Sequence, residues 1–180
     1  MKFIIASDIH GDIESTNKIL SILKEEKADK LILLGDVLYH GPRNDLPNAY
    51  NPKMVISALN EVKEKILCVR GNCDAEVDQM VLDFPIMDDY RYIEVDGLRI
   101  FATHGHRYNQ DTPPQMSKRE ILIHGHSHVP KCEKFGENLC LNPGSVSIPK
   151  GGYPSSYMIY ENRCFTIKDF NGGIIFQITL

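Results

Sequence analysis

The sequence predicts an α/β fold of two stacked β-sheets with helices outside. Three observations carry that prediction. Short apolar runs rich in β-branched residues alternate with amphipathic segments in the first half, as in βαβ units. From Tyr90 onward the pattern is nearly all strand and turn. And five of the apolar runs end at residues able to bind a metal. Phe3-Ile4-Ile5-Ala6 leads to Asp8 and His10, and Leu31-Ile32-Leu33-Leu34 to Gly35-Asp36. Ile66-Leu67-Cys68-Val69 leads to Gly71-Asn72, and Ile100-Phe101-Ala102-Thr103 to His104. Ile121-Leu122-Ile123 leads to His124-Gly125-His126-Ser127-His128. In an open α/β sheet, ligand sites collect just past the carboxyl ends of the strands. Five strand ends in one sheet are therefore expected to bring Asp, Asn and His together.

The elements follow in order. After the first strand, Ile13 to Glu26 reads as a helix, with Ile19, Leu20, Ile22 and Leu23 as its apolar face. The second strand ends at Asp36 and opens into a Gly/Pro/Asn-rich loop, Tyr39 to Asn51. Loops this long are often functional. Pro52 opens a helix through about Lys63, with Val55, Ile56, Leu59 and Val62 on one side. The third strand ends at Asn72, and Asp74 is placed to orient a neighbour or to cap a short helix, Ala75 to Leu82. Tyr92–Val95, Asp96-Gly97 and Leu98–Thr103 read as a hairpin with a tight turn. Pro113-Pro114 marks a loop and Ser117 to Glu120 a short helix. The tail supplies strands at Leu139–Asn142, Tyr157–Tyr160, Cys164–Phe170 and Ile174–Leu180, with turns at Asn162 and Asn171-Gly172-Gly173. Early βαβ units followed by a meander give two stacked sheets.

A chain of 180 residues with 42% hydrophobic content suits one globular domain, 1–180. The net charge of −4 disfavours a broad nucleic-acid-binding face. The five cysteines (Cys68, Cys73, Cys132, Cys140 and Cys164) form no C-x-x-C pair, so neither a disulfide framework nor a zinc ribbon is expected. A reducing cytoplasm follows. Only four apolar residues follow Met1-Lys2, too few for a signal-peptide core, and no run approaches membrane-spanning length.

The chemistry is carried by the run ends. Asp8 and His10 are two apart, so in an extended segment both would face one ion. Asp36 offers a carboxylate able to bridge two cations, and Asn72 a neutral oxygen. His104, His126 and His128 add imidazole nitrogens. Oxygen and nitrogen donors without a thiolate suit Mn, Fe, Co, Ni or Zn better than Ca or Mg. Two such ions can clamp a phosphate and generate hydroxide at neutral pH. Each short motif is weak alone. Three histidines in five residues after an apolar strand are seldom structural, and the ordered set of five is far stronger than its parts.

Asp8-Ile9-His10, Gly35-Asp36, Gly71-Asn72-Cys73-Asp74, His104 and Gly125-His126-Ser127-His128 together resemble the ordered motifs of the calcineurin-like metallophosphoesterase superfamily. The short length, Tyr39-His40-Gly41-Pro42-Arg43-Asn44 and Asn142-Pro143-Gly144-Ser145 resemble its small bacterial phosphodiesterases. The resemblance implies a four-layer α/β/β/α sandwich of two mixed sheets. It implies one ion on Asp8, His10, Asp36 and His128, and a second on Asp36, Asn72, His104 and His126. Manganese is the usual activator of such relatives. His10, Asn72 and His104 are assigned catalytic as well as ligand roles, and a metal-bridging hydroxide is expected to attack phosphorus in a small phosphodiester.

Many members carry His where this chain has Cys73, and a thiol is a weaker phosphate partner than an imidazolium. Diesters are therefore expected over monoesters. Cys73, His40, Arg43 and His106 are the expected substrate contacts, Arg43 being suited to bidentate phosphate binding. The rivals are a phosphomonoesterase of the same fold and a metal-silent interaction scaffold. Phe165, Phe170 and Phe176 are expected to offer an apolar patch for a homo-oligomer.

Overall fold

Alternation along the first strand decides the layering. Phe3 and Ile5 belong to one apolar cluster and Ile4 and Ala6 to another, and all four are buried. A strand buried on both faces must lie between two layers. The computed structural model, which describes residues 1–180, shows those layers.

The first sheet has the order β11-β10-β9-β1-β2-β3. Strands β1 (Lys2–Ala6), β2 (Lys30–Leu33) and β3 (Ile66–Cys68) are parallel. The meander β9 (Ser156–Glu161), β10 (Cys164–Asp169) and β11 (Ile174–Thr179) adds antiparallel strands beside β1. The second sheet has the order β4-β5-β6-β8-β7. It joins the hairpin β4 (Tyr90–Val95) and β5 (Leu98–Thr103) to β6 (Ile121–Ile123), β8 (Asn138–Asn142) and β7 (Lys131–Phe135). The hairpin turn has positive φ at both Asp96 (49°) and Gly97 (74°), which matches the right-handed twist of its strands.

Helices α1 (Ile13–Glu25) and α2 (Pro52–Asn60) cover the first sheet, burying Ile19, Leu23, Val55 and Leu59 with Ile4, Leu31 and Leu33. Asp12 caps α1 by accepting from Ser15 N–H at 2.7 Å, and Asn51 with Pro52 opens α2. Between the sheets, Phe3, Ile5, Ile32 and Leu34 share a core with Ile100, Ile121, Ile123, Leu141 and Tyr160. In the outermost layer, Tyr108 and Met116 of the 105–120 loop pack on Phe101, Leu122 and Cys140 of the second sheet.

Several local expectations change. The strand ends that carry the candidate ligands lie in two sheets: β1, β2 and β3 in the first, β5 and β6 in the second. α2 stops at Asn60, and a 3₁₀ turn at Lys63–Lys65 follows it. Ser117–Glu120 is a turn whose Ser117 N–H donates to Glu120 Oε2 at 3.0 Å. The third helix shrinks to α3 (Glu76–Gln79), and Asp74 does not cap it. Strand β7 was not anticipated. Its Lys131, Glu133 and Lys134 suit an edge strand, where charge discourages further pairing, and such a segment reads as loop. Phe165 is buried between the sheets and offers nothing to an external patch.

Candidate metal centre and substrate cavity

The loops after β1, β2, β3, β5 and β6 meet at one end of the sandwich. Asp8, His10, Asp36, His126 and His128 all have left-handed backbones, with φ of 58°, 50°, 56°, 66° and 59°. Each such residue costs about 1–3 kcal/mol and persists only where its surroundings over-determine it. Asp8 and His10 are therefore not in the extended segment their spacing suggested. Sharp reversals turn both side chains inward instead.

The surroundings are specific. Asp8 O accepts from Ser145 Oγ at 2.9 Å and Ser147 Oγ at 2.8 Å. His10 N–H donates to Asp36 O at 2.9 Å. Asp74 ties the second and third loops together: its carboxylate accepts from Asp36 N–H (2.8 Å), Val37 N–H (2.9 Å) and Gly71 N–H (2.7 Å). Gly71 and Gly125 are required by close approach. A Cβ on Gly71 would strike the Asp36 backbone and carboxylate, and one on Gly125 would strike Ser7 Oγ and the Asp8 carboxylate.

Three histidines are set by the same device. His10 Nδ1 donates to Tyr39 O (2.8 Å), His104 Nδ1 to Leu34 O (2.7 Å) and His128 Nδ1 to Ile148 O (2.6 Å). Each bond places the Nδ1 proton outward and turns the Nε2 lone pair inward. His10 Nε2 and His128 Nε2 then face each other at 3.3 Å. Asp8 Oδ1 is buried, has no hydrogen-bond partner, and lies 3.3 Å from His128 Nε2 and 3.7 Å from His10 Nε2. Beside this group, His104 Nε2 is 3.1 Å from Asn72 Oδ1, 3.2 Å from His126 Nδ1 and 3.4 Å from Asp36 Oδ2. Asp36 Oδ2 also lies 3.8 Å from His10 Nε2, so it reaches both halves. Cys73 N–H holds the other Asp36 oxygen at 2.8 Å.

Converging lone pairs and an orphaned buried carboxylate oxygen fit divalent cations. The electrostatics agree. Burial opposes the charge on Asp8, yet the His10 and His128 imidazoles hold its carboxyl well below the usual range. Burial pulls His104 down, but Asp36 at its Nε2 and the Asp8 charge more than offset this and carry it to about 9. With protein groups alone, protons neutralise the buried carboxylates. Cations of higher charge can replace those protons.

The candidate ligands open onto a cavity of about 640 Å³ that Asp36, Asn72, Cys73, His126 and His128 line from one side. The loop after β2 supplies Tyr39, Arg43 and Asn44, and Lys150 completes the wall. Burial, with Asp36 next, pushes the Cys73 thiol far up, so it faces the cavity uncharged.

The structure thus gathers Asp8, His10, Asp36, Asn72, His104, His126 and His128, and places Cys73 and Arg43 on the cavity. It does not bring His40 there. The His40 ring packs edge-on between Tyr39 and Tyr50, with centroids at 4.7 and 5.3 Å. His106 stands beside His104 and His126, at 5.4 and 6.3 Å, and does not line the cavity. Burial and the neighbouring His104 and His126 lower it to about 4. His124 is buried and bonds the Gly125 carbonyl instead of a ligand side chain. Sequence reasoning missed Lys150; of its two readings of Asp74, the contacts favour the one that orients neighbouring residues.

Carboxylate, amide and imidazole donors converging from a two-sheet sandwich onto an open polar cavity define a metal-binding phosphoesterase. The chain belongs to the calcineurin-like phosphoesterase superfamily, whose domain matches residues 1–163. Phosphodiesterase YfcE of Escherichia coli (strain K12) is 45% identical over 181 residues, spanning 100% of this chain and 98% of that protein. The solved structure of the E. coli YfcE phosphoesterase superimposes with a TM-score of 0.97 at 44% identity, covering 99% of each chain. Phosphodiesterase MJ0936 of Methanocaldococcus jannaschii is 26% identical over 162 residues, 86% of this chain and 90% of that one. Vacuolar protein sorting 29 of Cryptosporidium parvum shares the fold alone, with a TM-score of 0.65 at 15% identity over 99% of this chain and 98% of that one.

Proposed function

We propose that the protein is a metal-dependent phosphodiesterase acting on small diesters through a two-ion centre, with manganese the preferred metal and the cytoplasm its compartment. Asp8, His10, Asp36 and His128 would hold one ion, and Asp36, Asn72, His104 and His126 the other. Bound there, the ions would supply hydroxide at neutral pH and positive charge against the phosphoryl oxygens. The protein's own contribution is preorganisation. Carbonyl tethers keep the imidazole lone pairs aimed inward, and the Cys73 amide fixes the carboxylate shared by both halves. Cys73 is neutral where a cation would favour a monoester dianion, and this supports a diester substrate. The kinship to two phosphodiesterases supports the same choice.

The observation that carries the reading is the buried, unpartnered Asp8 Oδ1 among inward-facing imidazole nitrogens. The test is hydrolysis of an aryl phosphodiester by chelator-stripped protein before and after manganese, with Asp36→Asn as control. Turnover that needs the metal and drops about 100-fold or more in the variant is expected. No turnover with manganese or another dication would overturn the reading.

A further inference from the structure

The cavity carries more positive charge than a simple diester uses. A diester phosphate bears one negative charge, and two dications against Asp8, Asp36 and a hydroxide already balance it. Yet Arg43 and Lys150 also line the cavity, and neither makes an ion pair with any carboxylate of the chain. Both occur in a protein whose net charge is −4. Arg43 makes no side-chain hydrogen bond within the protein, so all five of its N–H groups are free. Lys150 Nζ spends one donor on Asn44 Oδ1 at 3.3 Å.

That contact bridges the cavity mouth, and both sides of it are anchored. Asn44 Nδ2 donates to His40 O at 2.8 Å. Lys150 N–H donates to the carbonyl of the metal-ligand residue His128 at 3.1 Å. The Lys150 backbone is therefore held in register with the metal centre. Tyr39, 42% exposed, adds an aromatic face on the same wall. A volume of about 640 Å³ is ample for a ligand of nucleotide size.

We infer that Arg43 and Lys150 form a second anion subsite, and that the preferred substrate is a nucleotide-type phosphodiester carrying a further phosphate on one of the groups flanking the scissile bond. This inference rests on the phosphodiesterase reading above. Lys150 and Arg43 bind the non-reacting phosphate, and the scissile phosphate lies toward Asn72 and His126.

The test compares a dinucleotide with the same dinucleotide phosphorylated at its 5′ or 3′ end, in manganese. For the wild type, one of the two terminal phosphates is expected to raise kcat/KM by about tenfold or more, a charge-assisted contact's worth. Lys150→Ala and Arg43→Ala should each shrink that ratio toward unity. Reading a ratio on one protein sample cancels any loss of folded enzyme. Equal rates with and without either terminal phosphate would overturn the inference, as would a preference that survives both substitutions. Cleavage of an aryl diester but of no dinucleotide would overturn it while leaving the phosphodiesterase reading intact. If no diester turns over, that reading fails, and calorimetric binding of the same ligands decides the inference alone. A tenfold preference lost in the variants then supports the anion subsite while overturning the substrate assignment, and equal binding overturns both.

Discussion

Asp74→Ala should unlock the centre without touching a ligand. The Asp74 carboxylate is 2% exposed and is the acceptor for three backbone N–H groups, those of Asp36, Val37 and Gly71. Alanine leaves all three donors unpaired. Each buried donor so orphaned costs about 1–3 kcal/mol. Losing a buried carboxylate beside Asp36 refunds part of that sum, so a net loss of about 3–5 kcal/mol is expected. Asp74→Asn separates hydrogen bonding from shape. Its amide oxygen can replace Oδ2, which serves Asp36 and Gly71, and its NH₂ then faces Val37 N–H. One donor is lost instead of three, for about 1–3 kcal/mol. Urea unfolding in chelator reads both variants. Because Asp36 at φ 56° is held through this contact, manganese affinity should also fall about 10–100-fold in the alanine variant. A loss under about 1 kcal/mol for alanine, or equal losses for both variants, would refute the reasoning.

Other outcomes follow from the same contacts. Gly71→Ala should abolish metal-dependent turnover and lower the melting temperature, because its Cβ collides with Asp36; near-normal activity in a diester assay would contradict this. Cys73→His should raise monoesterase relative to diesterase activity by placing a cationic contact on the cavity, and an unchanged ratio of the two rates would count against it. Manganese should stabilise the fold by about 2.7 kcal/mol per site at a hundredfold excess over its Kd, measured as a shift in thermal unfolding, and Asp8→Asn should reduce that shift.

The candidate metal centre was legible because the side chains proposed to hold the ions sit at fixed points, just past apolar runs. The apolar run Phe3–Ala6 also marked β1 as a buried strand. What the sequence hid was conformation and assembly. Asp8 and His10 look like an extended pair, and only tertiary bonds from Ser145, Ser147 and Asp36 force them into left-handed backbone. Likewise, strand ends in two sheets look the same as strand ends in one, since no local pattern records which sheet a strand joins. Asp74 reads equally as a helix cap or as an orienting group, because its acceptor oxygens suit both. Here they are taken by amides up to 38 residues away in sequence. Lys150 gives no signal at all, being one lysine beside Gly151-Gly152, and only the fold carries it to the cavity.

The most direct test of the two-ion centre is anomalous diffraction at the manganese edge from crystals grown with the metal. Two peaks are predicted, one within reach of Asp8, His10 and His128, the other within reach of Asn72, His104 and His126, with Asp36 between them. A single peak, no peak, or an ion held by Cys73 in place of Asn72 would contradict the account.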